Sequence, residues 1–524
     1  MKNRFLFALS AAASLLSLSA CCDNDVTDNE QTVQSTGSEI VLGEKEDSPL
    51  LLRNMQRAID TLAARRGLRS SIVLSPTHYY VRFLPADSAE YERIKADTSL
   101  VLTSYPLDYE LSEGDTYHDP SIPADDITWQ YTVVPADYDL EGTHACYEKL
   151  EELFIQSEDL DSDTLVETKA TELKSAKTKA EAITWRQLVN EAVTQTTGEQ
   201  TQLKSHWTPQ ATIKAYDDLL QDYVPLQGVK VRIRYFAFLF AHHFTDANGH
   251  VSFSSKRTKV EYSIVWESDK WDIRNPLIQA FYDGPHKKSA WSLNIGSGTP
   301  FSLHYAAIHR ALYKYYYGNT LGLSRPTEKL KVSYHSGSDP DCLGKTYHAI
   351  VTTWHSFFSA IKIYGKSNGM TRSVSQVLGT SLHELTHAAY DCQISLHDYN
   401  ETKKIIIESW AVFGEWLLMR DIYTDNFNAT EFVYKNINWI SYDNEQKDYS
   451  PLFIDMVDVD TPSTSGWEIE DNIYGYNVKS IDKSITKFRN LDDVEKFLKN
   501  YKPTDITDED IDRYLKIYKD YKKQ

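Results

Sequence analysis

The residues whose chemistry is easiest to interpret lie in the segment Ser381–Ala389, which reads SLHELTHAA. On a helix, His383 and His387 are four positions apart, so both imidazoles project from the same face. Two neutral imidazoles on one face can hold a single Zn²⁺ ion. Glu384 lies between them and can take a proton from a water molecule that the metal polarises. The pattern therefore predicts a zinc site that supports hydrolysis.

The sequence around this motif predicts that it lies on a helix. Apolar residues recur there at spacings of three and four, which is the helical period. They are Val374, Val377, Leu378, Leu382, Leu385 and Ala389. Among Asp, Glu, Lys and Arg, Glu384 is the one residue between Ser373 and Ala389. A lone carboxylate in an apolar helix is costly to bury unless it has a partner or a task, which favours a functional role.

A second segment, from about Thr402 to Tyr423, is apolar on most sides and is predicted to form a buried helix. Within it, Glu408 and Glu415 are separated by about two helical turns and fall on the same face. The sequence from Glu408 to Glu415, ESWAVFGE, resembles the E-[GS]-[FW]-A-x-x-x-E pattern of the gluzincins. Thermolysin and the aminopeptidase N-type enzymes belong to that group of zinc peptidases. The resemblance covers roughly Ser373–Met419.

By this resemblance, Glu408 is expected to be the third zinc ligand, and Glu415 an acid behind the ligands or a structural acid. Two other ligand sets were compared with the chain. Metzincins require a Gly and a His where Tyr390 and Gln393 stand, so that class does not match. Aspzincins use an Asp beyond the second His, and Asp398 is an alternative of this kind. Its surroundings are typical of a polar loop, and a helical ligand is held more firmly, which favours Glu408.

Length, charge and hydrophobicity limit the number of domains, the kinds of binding partner and the relation to a membrane. A chain of 524 residues is too long for a single core and predicts about three domains. The formal net charge of −20 argues against binding to nucleic acid and to anionic lipid surfaces. After the N-terminal region no long apolar run occurs, so no transmembrane span is expected.

Residues 1–20 are predicted to be a targeting segment, because Lys2 and Arg4 precede a long apolar stretch. The sequence LSAC, which ends at Cys21, resembles a bacterial lipobox, in which the chain is cut before a cysteine that carries lipid. An ordinary secretory peptide is the alternative. Residues 21–45 are polar and partly acidic, which fits a tether and also resembles the surface-export signal of some Gram-negative lipoproteins. We therefore expect a lipid anchor in the outer membrane, with the protein at the cell surface.

The cysteines beyond this segment do not predict a disulfide framework. Cys146, Cys342 and Cys392 are widely spaced and odd in number, which also excludes a cysteine metal site. A single bridge between Cys342 and Cys392 is one alternative, and buried free thiols are the favoured one.

Residues 46–198 are predicted to form an N-terminal α+β module. Helices are expected at Ser48–Gly67, Cys146–Phe154 and Thr184–Thr196, and strands at His78–Leu84 and Trp129–Val134. Residues 199–283 contain short alternating segments and an Asn-Gly turn, which predict a small β-sandwich. The pattern P-L-x-G-V-x-V, from Pro225 to Val231, resembles prealbumin-like modules, which are mostly spacers.

Residues 284–524 are predicted to form a mostly helical, zincin-like domain. A helix is expected over Leu303–Tyr317, and strands over Leu330–Tyr334 and Ala360–Tyr364. Zincins place an edge strand beside the cleft, where a substrate peptide can add as a further strand, and Ala360–Tyr364 is the candidate.

A zinc peptidase also needs a donor for the oxyanion that forms on the substrate carbonyl. Gluzincins generally supply it from a Tyr or His well after the third ligand, and no His follows Glu408 here. Tyr474 and Tyr476 are the candidates, because Gly475 between them marks a turn.

These inferences predict an α+β multidomain protein that combines the N-terminal module, the β-sandwich and the zincin-like domain. The expected function is that of a membrane-anchored, monomeric peptidase with one catalytic Zn²⁺, which hydrolyses extracellular proteins or glycoproteins. The alternative is a surface lipoprotein that binds a ligand and carries an inactive zincin domain. The intact motif and Glu408 favour the peptidase.

Overall fold

The computed structural model describes residues 38–67, 72–166, 183–198, 206–339, 344–346, 361–423, 450–458 and 472–521. The predicted signal peptide, Cys21, Cys342 and most of the tether lie outside these residues. The described chain contains helices and several separate sheets, with a helical C-terminal region, which confirms the α+β multidomain class. Within it, no helix is both long and apolar enough to span a membrane. Cys146 and Cys392 are free cysteines among the described residues, but Cys146 is exposed and Cys392 half-buried, so the prediction that these thiols are buried is wrong.

The N-terminal part pairs a small antiparallel sheet with helices. Its elements are β1 (Leu42–Lys45), α1 (Leu52–Arg65), β2 (His78–Leu84), α2 (Ser88–Ala96), β3 (Tyr109–Leu111), β4 (Gln130–Pro135), β5 (Cys146–Leu153) and α3 (Trp185–Thr197). Strand β2 lies between β4 and β5, and β1 pairs with β3. The predicted strands His78–Leu84 and Trp129–Val134 and the helices Ser48–Gly67 and Thr184–Thr196 are confirmed, with differences of a few residues at their ends.

The prediction of a helix over Cys146–Phe154 is wrong, because this segment forms strand β5. Its Glu, Lys and Leu residues favour a helix locally, but pairing with β2 overrides that preference. Across the pair, the Tyr147 ring lies 6.5 Å from the Phe83 ring, and Lys149 Nζ lies 4.2 Å above the Tyr79 ring.

The expected β-sandwich is present as two facing sheets. Their strands are β6 (Gln210–Asp217), β7 (Asp222–Pro225), β8 (Lys230–Tyr235), β9 (Leu239–Phe244), β10 (His250–Ser252), β11 (Val260–Val265), β14 (Phe281–Lys287) and β15 (Trp291–Ile295). One sheet has the order β10-β6-β15 with β7 on β6, and the other has the order β14-β11-β8-β9. The Trp291 ring packs against Tyr262 and Tyr282 of the opposite sheet, with centroids 5.5 and 6.1 Å apart. The strands continue past residue 283, where the expected module ends.

A separate five-stranded sheet combines strands from Trp271 to Tyr364. Its strands are β12 (Trp271–Asn275), β13 (Ile278–Gln279), β16 (Leu330–His335), β17 (Gly344–Thr346) and β18 (Ile361–Tyr364), in the order β13-β12-β16-β18-β17. Strands β12, β16 and β18 are parallel, whereas β17 is antiparallel to β18. A hairpin of β19 (Lys366–Ser367) and β20 (Met370–Thr371) follows.

The prediction that Ala360–Tyr364 is the edge strand is wrong. Its described part, β18, lies between β16 and β17, so β17 forms that edge of the described sheet. No local pattern predicts β17, because Gly344–Thr346 is only three residues long and begins with a residue that disfavours strands.

Helices form most of the remainder. They are α4 (Pro300–Tyr316), α5 (Val374–Asp391), α6 (Leu396–Glu401), α7 (Lys404–Ile422), α8 (Leu452–Asp455), α9 (Val478–Ile485), α10 (Leu491–Tyr501) and α11 (Asp508–Tyr521). The predicted helices that correspond to α4, α5 and α7 are confirmed. Helix α5 packs against both α4 and α7.

Ion pairs between largely buried side chains connect the N-terminal module to this five-stranded sheet. Lys95 of α2 lies 2.7 Å from Asp272 of β12, and Glu92 lies 2.6 Å from both Arg274 and Lys331. Burial alone would raise the pKa of the Asp272 carboxyl, but Lys95 and Arg274 hold it below its ordinary value. Since an unpaired buried charge is expensive, these pairs fix how α2 sits on the sheet.

His309 of α4 is a buried titratable residue, 2% exposed. Its Nε2 donates to the Gln227 carbonyl at 2.8 Å, and its ring packs against Trp266 and Trp271. Burial lowers its pKa from 6.5 to about 4. Between those values the unfolded chain binds more protons than the folded chain, so stability falls as the pH drops. The contribution is about 3 kcal/mol, present in full above pH 6.5 and lost below about pH 4.

The change His309→Gln keeps an N–H donor but does not titrate. We expect a smaller difference in unfolding midpoint between pH 7 and pH 4.5 than in the natural chain. Denaturant titrations followed by fluorescence at both pH values measure it. An unchanged difference would show that the imidazole is accessible to protons in the folded state.

Candidate metal centre

Helix α5 carries the His-Glu-His motif and is fixed at its N-terminus. Ser373 caps it, since its hydroxyl accepts from the backbone N–H of Gln376 and the Gln376 side chain bonds the Ser373 N–H in return. A carboxylate of the sandwich adds to this cap. Asp218, just beyond β6, accepts from the backbone N–H of Ser375 at 2.7 Å and from its hydroxyl at 2.6 Å. A carboxylate at this end also interacts favourably with the helix dipole.

The neighbouring Asp217 connects helices α4 and α7 to the sandwich. Its carboxylate is fully buried and accepts from Arg310 of α4 at 2.7 Å. It also accepts from the hydroxyl of Tyr423, at the end of α7, at 2.8 Å. The turn after β6 therefore contacts all three helices of the site.

A glycine allows α7 to approach α5 closely. A Cβ atom at Gly414 would lie 2.7 Å from Thr386 Cγ2, a distance that real Cβ atoms do not adopt. Thr386 itself is fixed, since its hydroxyl donates to the Leu382 carbonyl at 2.8 Å and bonds the Tyr315 hydroxyl at 2.6 Å. This contact places Glu408 and Glu415 of α7 opposite the histidines of α5.

The structure brings the three expected ligands together. Glu408 Oε2 lies 3.5 Å from His383 Nε2 and 3.4 Å from His387 Nε2. The ligand atoms of the group all lie within 4.8 Å of one another. In a tetrahedral site with bonds of about 2.0–2.1 Å, two ligand atoms are about 3.4 Å apart. His383, His387 and Glu408 therefore form a group that can hold a metal ion.

Burial and neighbouring charges shift the pKa values of these side chains. His383 and His387 are 0% and 6% exposed. Burial would lower the pKa of His383, but hydrogen bonds with Glu408 and Glu415 raise it to about 10. Burial would raise the pKa of Glu408, but His387 and His383 hold it below its ordinary value. Because a metal ion needs neutral imidazoles, binding it must displace protons from this group.

Glu415 occupies the position expected of an acid behind the ligands. Its Oε2 lies 3.4 Å from Nδ1 of His383, while Nε2 of the same ring faces Glu408. A carboxylate at the far nitrogen fixes the ring orientation and the tautomer of a metal ligand, and makes it a stronger donor.

Glu384 is 0% exposed and lies against strand β17. A Cβ atom at Gly344 would lie 2.7 Å from both Glu384 Oε1 and Thr380 Cγ2. Strand β17 can therefore pass this close to the carboxylate because residue 344 is glycine.

The hydroxyls of Tyr474 and Tyr476 donate to groups that do not belong to the metal-binding group. The Tyr474 hydroxyl donates to the Asp505 carboxylate, and the ring is 36% exposed. The Tyr476 hydroxyl donates to the Leu498 carbonyl at 3.1 Å. The structure gives no support for either as an oxyanion donor.

Asp398, the alternative ligand, lies on the short helix α6 rather than in a loop. It pairs with Arg489 at 2.7 Å and is not a member of the metal-binding group. Arg489 is also near the start of α7, since its carbonyl accepts from the Lys403 N–H at 2.9 Å.

Arg372, just before α5, was missed by the sequence analysis. It is 4% exposed, and burial lowers its pKa to about 10 against the opposing charges of Glu415 and Glu384. The signal was available, because Arg372 directly precedes the segment Ser373–Ala389, in which Glu384 is the single Asp, Glu, Lys or Arg.

Comparison with known proteins found no family model, no curated protein and no solved structure that matches this chain.

The ligand set predicts which substitutions remove the metal. We expect purified protein to hold close to one metal ion per chain, and His383→Ala and Glu408→Ala to lose most of it. Asp398→Ala is the matched control and should keep it, because Asp398 bonds Arg489 instead. Elemental analysis after dialysis measures the content. Full retention in both His383→Ala and Glu408→Ala would refute the assignment.

Proposed function

We propose that the chain is a zinc-dependent peptidase of the gluzincin type. The observation that carries the proposal is the convergence of His383, His387 and Glu408 on one point, with Glu384 adjacent on the same helix. The likeness of ESWAVFGE to the gluzincin pattern supports it independently. No nucleic acid or anionic surface is expected as a partner, because the net charge is −20.

Zinc is the metal that this donor set fits best. Two imidazole nitrogens and one carboxylate oxygen are the ligands of many catalytic zinc sites, which leave a fourth position open. The nitrogen–oxygen distances of 3.4 and 3.5 Å fit tetrahedral geometry, whereas octahedral oxygen sites suit magnesium and calcium.

Bound zinc would polarise the substrate carbonyl and make a nearby water molecule more acidic. Glu384 would take a proton from the attacking water as the new C–O bond forms. It would then give that proton to the amide nitrogen as the C–N bond breaks, so the products are a carboxylic acid and an amine, which exchange a further proton to become a carboxylate and an ammonium group. Complete burial strengthens the electrostatic effect of Glu384 on these steps.

The remaining residues of the site would hold this arrangement in place. Glu415 would orient the His383 ring through Nδ1. Strand β17, which is an edge strand among the described residues and lies beside Glu384, would offer backbone groups to an extended peptide. The proposed substrates are therefore peptide bonds in extended segments of extracellular proteins or glycoproteins.

The role of Glu384 can be tested by Glu384→Gln, which keeps the shape but cannot carry the proton. We expect zinc to stay near one per chain and kcat on a cleaved peptide to fall by about a hundred-fold or more. Glu401→Gln, on the exposed end of α6, is the control and should leave both unchanged.

A peptide library screened by mass spectrometry supplies the substrate for this comparison. Equal cleavage by Glu384→Gln would refute the mechanism. If the natural chain holds zinc and cleaves no peptide, the peptidase proposal is refuted and the alternative of an inactive domain in a binding lipoprotein is favoured.

The proposal also includes a lipid anchor at Cys21, based on the LSAC sequence. We expect the mature chain to begin with Cys21 carrying lipid and to partition with outer membranes, because several acyl chains hold a protein firmly. Mass spectrometry of the N-terminal peptide tests it, with Cys21→Ser as the control that should lose the lipid. An unmodified terminus would refute the anchor, and protease treatment of intact cells tests surface exposure.

A further inference from the structure

The metal centre contains more negative charge than a bound zinc ion would neutralise. Glu384, Glu408 and Glu415 all lie around the two histidines, and Glu384 is 0% exposed. Three carboxylates and one divalent ion leave a net charge of −1. An excess charge in a buried site is expensive unless an opposite charge lies nearby.

Arg372 supplies such a charge. This residue is 4% exposed, and its guanidinium interacts electrostatically with Glu415 and Glu384. With its single positive charge, the sum over zinc, these three carboxylates and the guanidinium is zero. Asp391, buried one helical turn after His387, is a further carboxyl, and burial raises its pKa to about 7, which favours its neutral form.

The guanidinium is held by α5 and β18. It donates to the Tyr364 carbonyl at 2.9 Å, to the Gln376 carbonyl at 2.8 Å and to the Thr380 hydroxyl. Tyr364 is the last residue of β18, and Gln376 and Thr380 lie on α5.

The backbone of Arg372 is also fixed. Its N–H donates to the Gly365 carbonyl at 2.9 Å, and its carbonyl accepts from His304 Nε2 of α4 at 3.0 Å. His304 in turn bonds the Tyr334 hydroxyl through Nδ1 at 2.7 Å. Arg372 therefore links α4, β18 and α5 on the side of the site where Glu384 lies.

Thr380 connects this anchor to Glu384. The two residues are one helical turn apart and so lie on the same face of α5. A Cβ atom at Gly344 would touch both, at 2.7 Å from Thr380 Cγ2 and from Glu384 Oε1. Thr380 and Glu384 thus both lie beside the start of β17, and Arg372 donates to the Thr380 hydroxyl.

We propose that Arg372 is a positioning residue for the proposed hydrolysis. It fixes Thr380 and so the place of Glu384 against β17, and its charge balances the three carboxylates once zinc is bound. This inference rests on the proposed function for its effect on turnover. Its effect on zinc affinity does not depend on peptidase activity.

Two readouts on the full-length chain separate this role from a purely structural one. The first is the dissociation constant for zinc alone, from competition with a chelating dye. Arg372→Met removes a positive charge from the site, so we expect zinc to bind at least about threefold tighter. Arg372→Lys restores the charge and should bind zinc as the natural chain does. Weaker binding in both variants would refute the charge role.

The second readout is kcat and KM on a peptide that the natural chain cleaves. We expect Arg372→Met to lower kcat by about ten- to a hundred-fold with KM within threefold, because Glu384 loses its support. Arg372→Lys should recover part of kcat. An unchanged kcat in Arg372→Met, or a loss that follows zinc content alone, would overturn the positioning role.

Thr380→Val provides a milder variant in case Arg372→Met does not fold. It keeps the side-chain shape and removes only the hydroxyl that accepts from Arg372. A lower kcat at full zinc content is expected, and an unchanged kcat would contradict the link through Thr380. Lys366→Met, on the hairpin before Arg372, is the control for loss of a nearby surface charge. If the natural chain binds zinc but cleaves nothing, the proposed function fails, and the zinc measurements still decide the charge role.

Discussion

The close packing of α7 on α5 is the contact on which the candidate site depends. Neither helix holds a metal alone, since α5 offers two imidazoles and α7 offers the carboxylate. Gly414 lets the two backbones approach at Thr386, where any larger residue would collide with a threonine that is itself bonded on two sides. Because ligand atoms must lie within a few tenths of an ångström of their required separation, this contact decides whether Glu408 reaches the histidines.

The second constraint is the burial of charge. An ionised carboxylate in a low-dielectric site is stable only with a partner, and each acid of this site has one. Glu408 faces both histidines, Glu415 faces the far nitrogen of His383, and Glu384 interacts electrostatically with the Arg372 guanidinium. The same rule operates between modules, where Lys95, Asp272 and Arg274 are buried together. Polar groups therefore determine how the elements are oriented, while apolar packing supplies most of the stability.

The sandwich is more than a spacer in this arrangement. Asp217, the last residue of strand β6, and Asp218, which follows it, bond α4, α5 and the end of α7. Gly228, with a φ of 76°, lies under the ring of Tyr313 in α4, where a Cβ atom would collide. Strand β12 lies between two sandwich strands in sequence, yet it joins the sheet beneath the site. The helices of the candidate site thus rest on parts of the chain that were expected to form a separate module.

The sequence by itself determined the elements whose signals are local. The helical periods of α5 and α7, the spacing of His383 and His387, and the alternation in the sandwich strands are readable because each depends on neighbours within a few turns or residues. The resemblance to gluzincins then identified Glu408 and Glu415, and the structure brings both to the histidines. Only the tertiary structure decided what depends on distant partners. Pairing with β2 made Cys146–Leu153 a strand, and the short strand β17 displaced β18 from the sheet edge. The hydroxyls of Tyr474 and Tyr476 bond Asp505 and Leu498, and Arg372 joins the site through Thr380. Strand pairing, edge position and buried charge partners are set by residues far apart in the chain, so no local pattern encodes them.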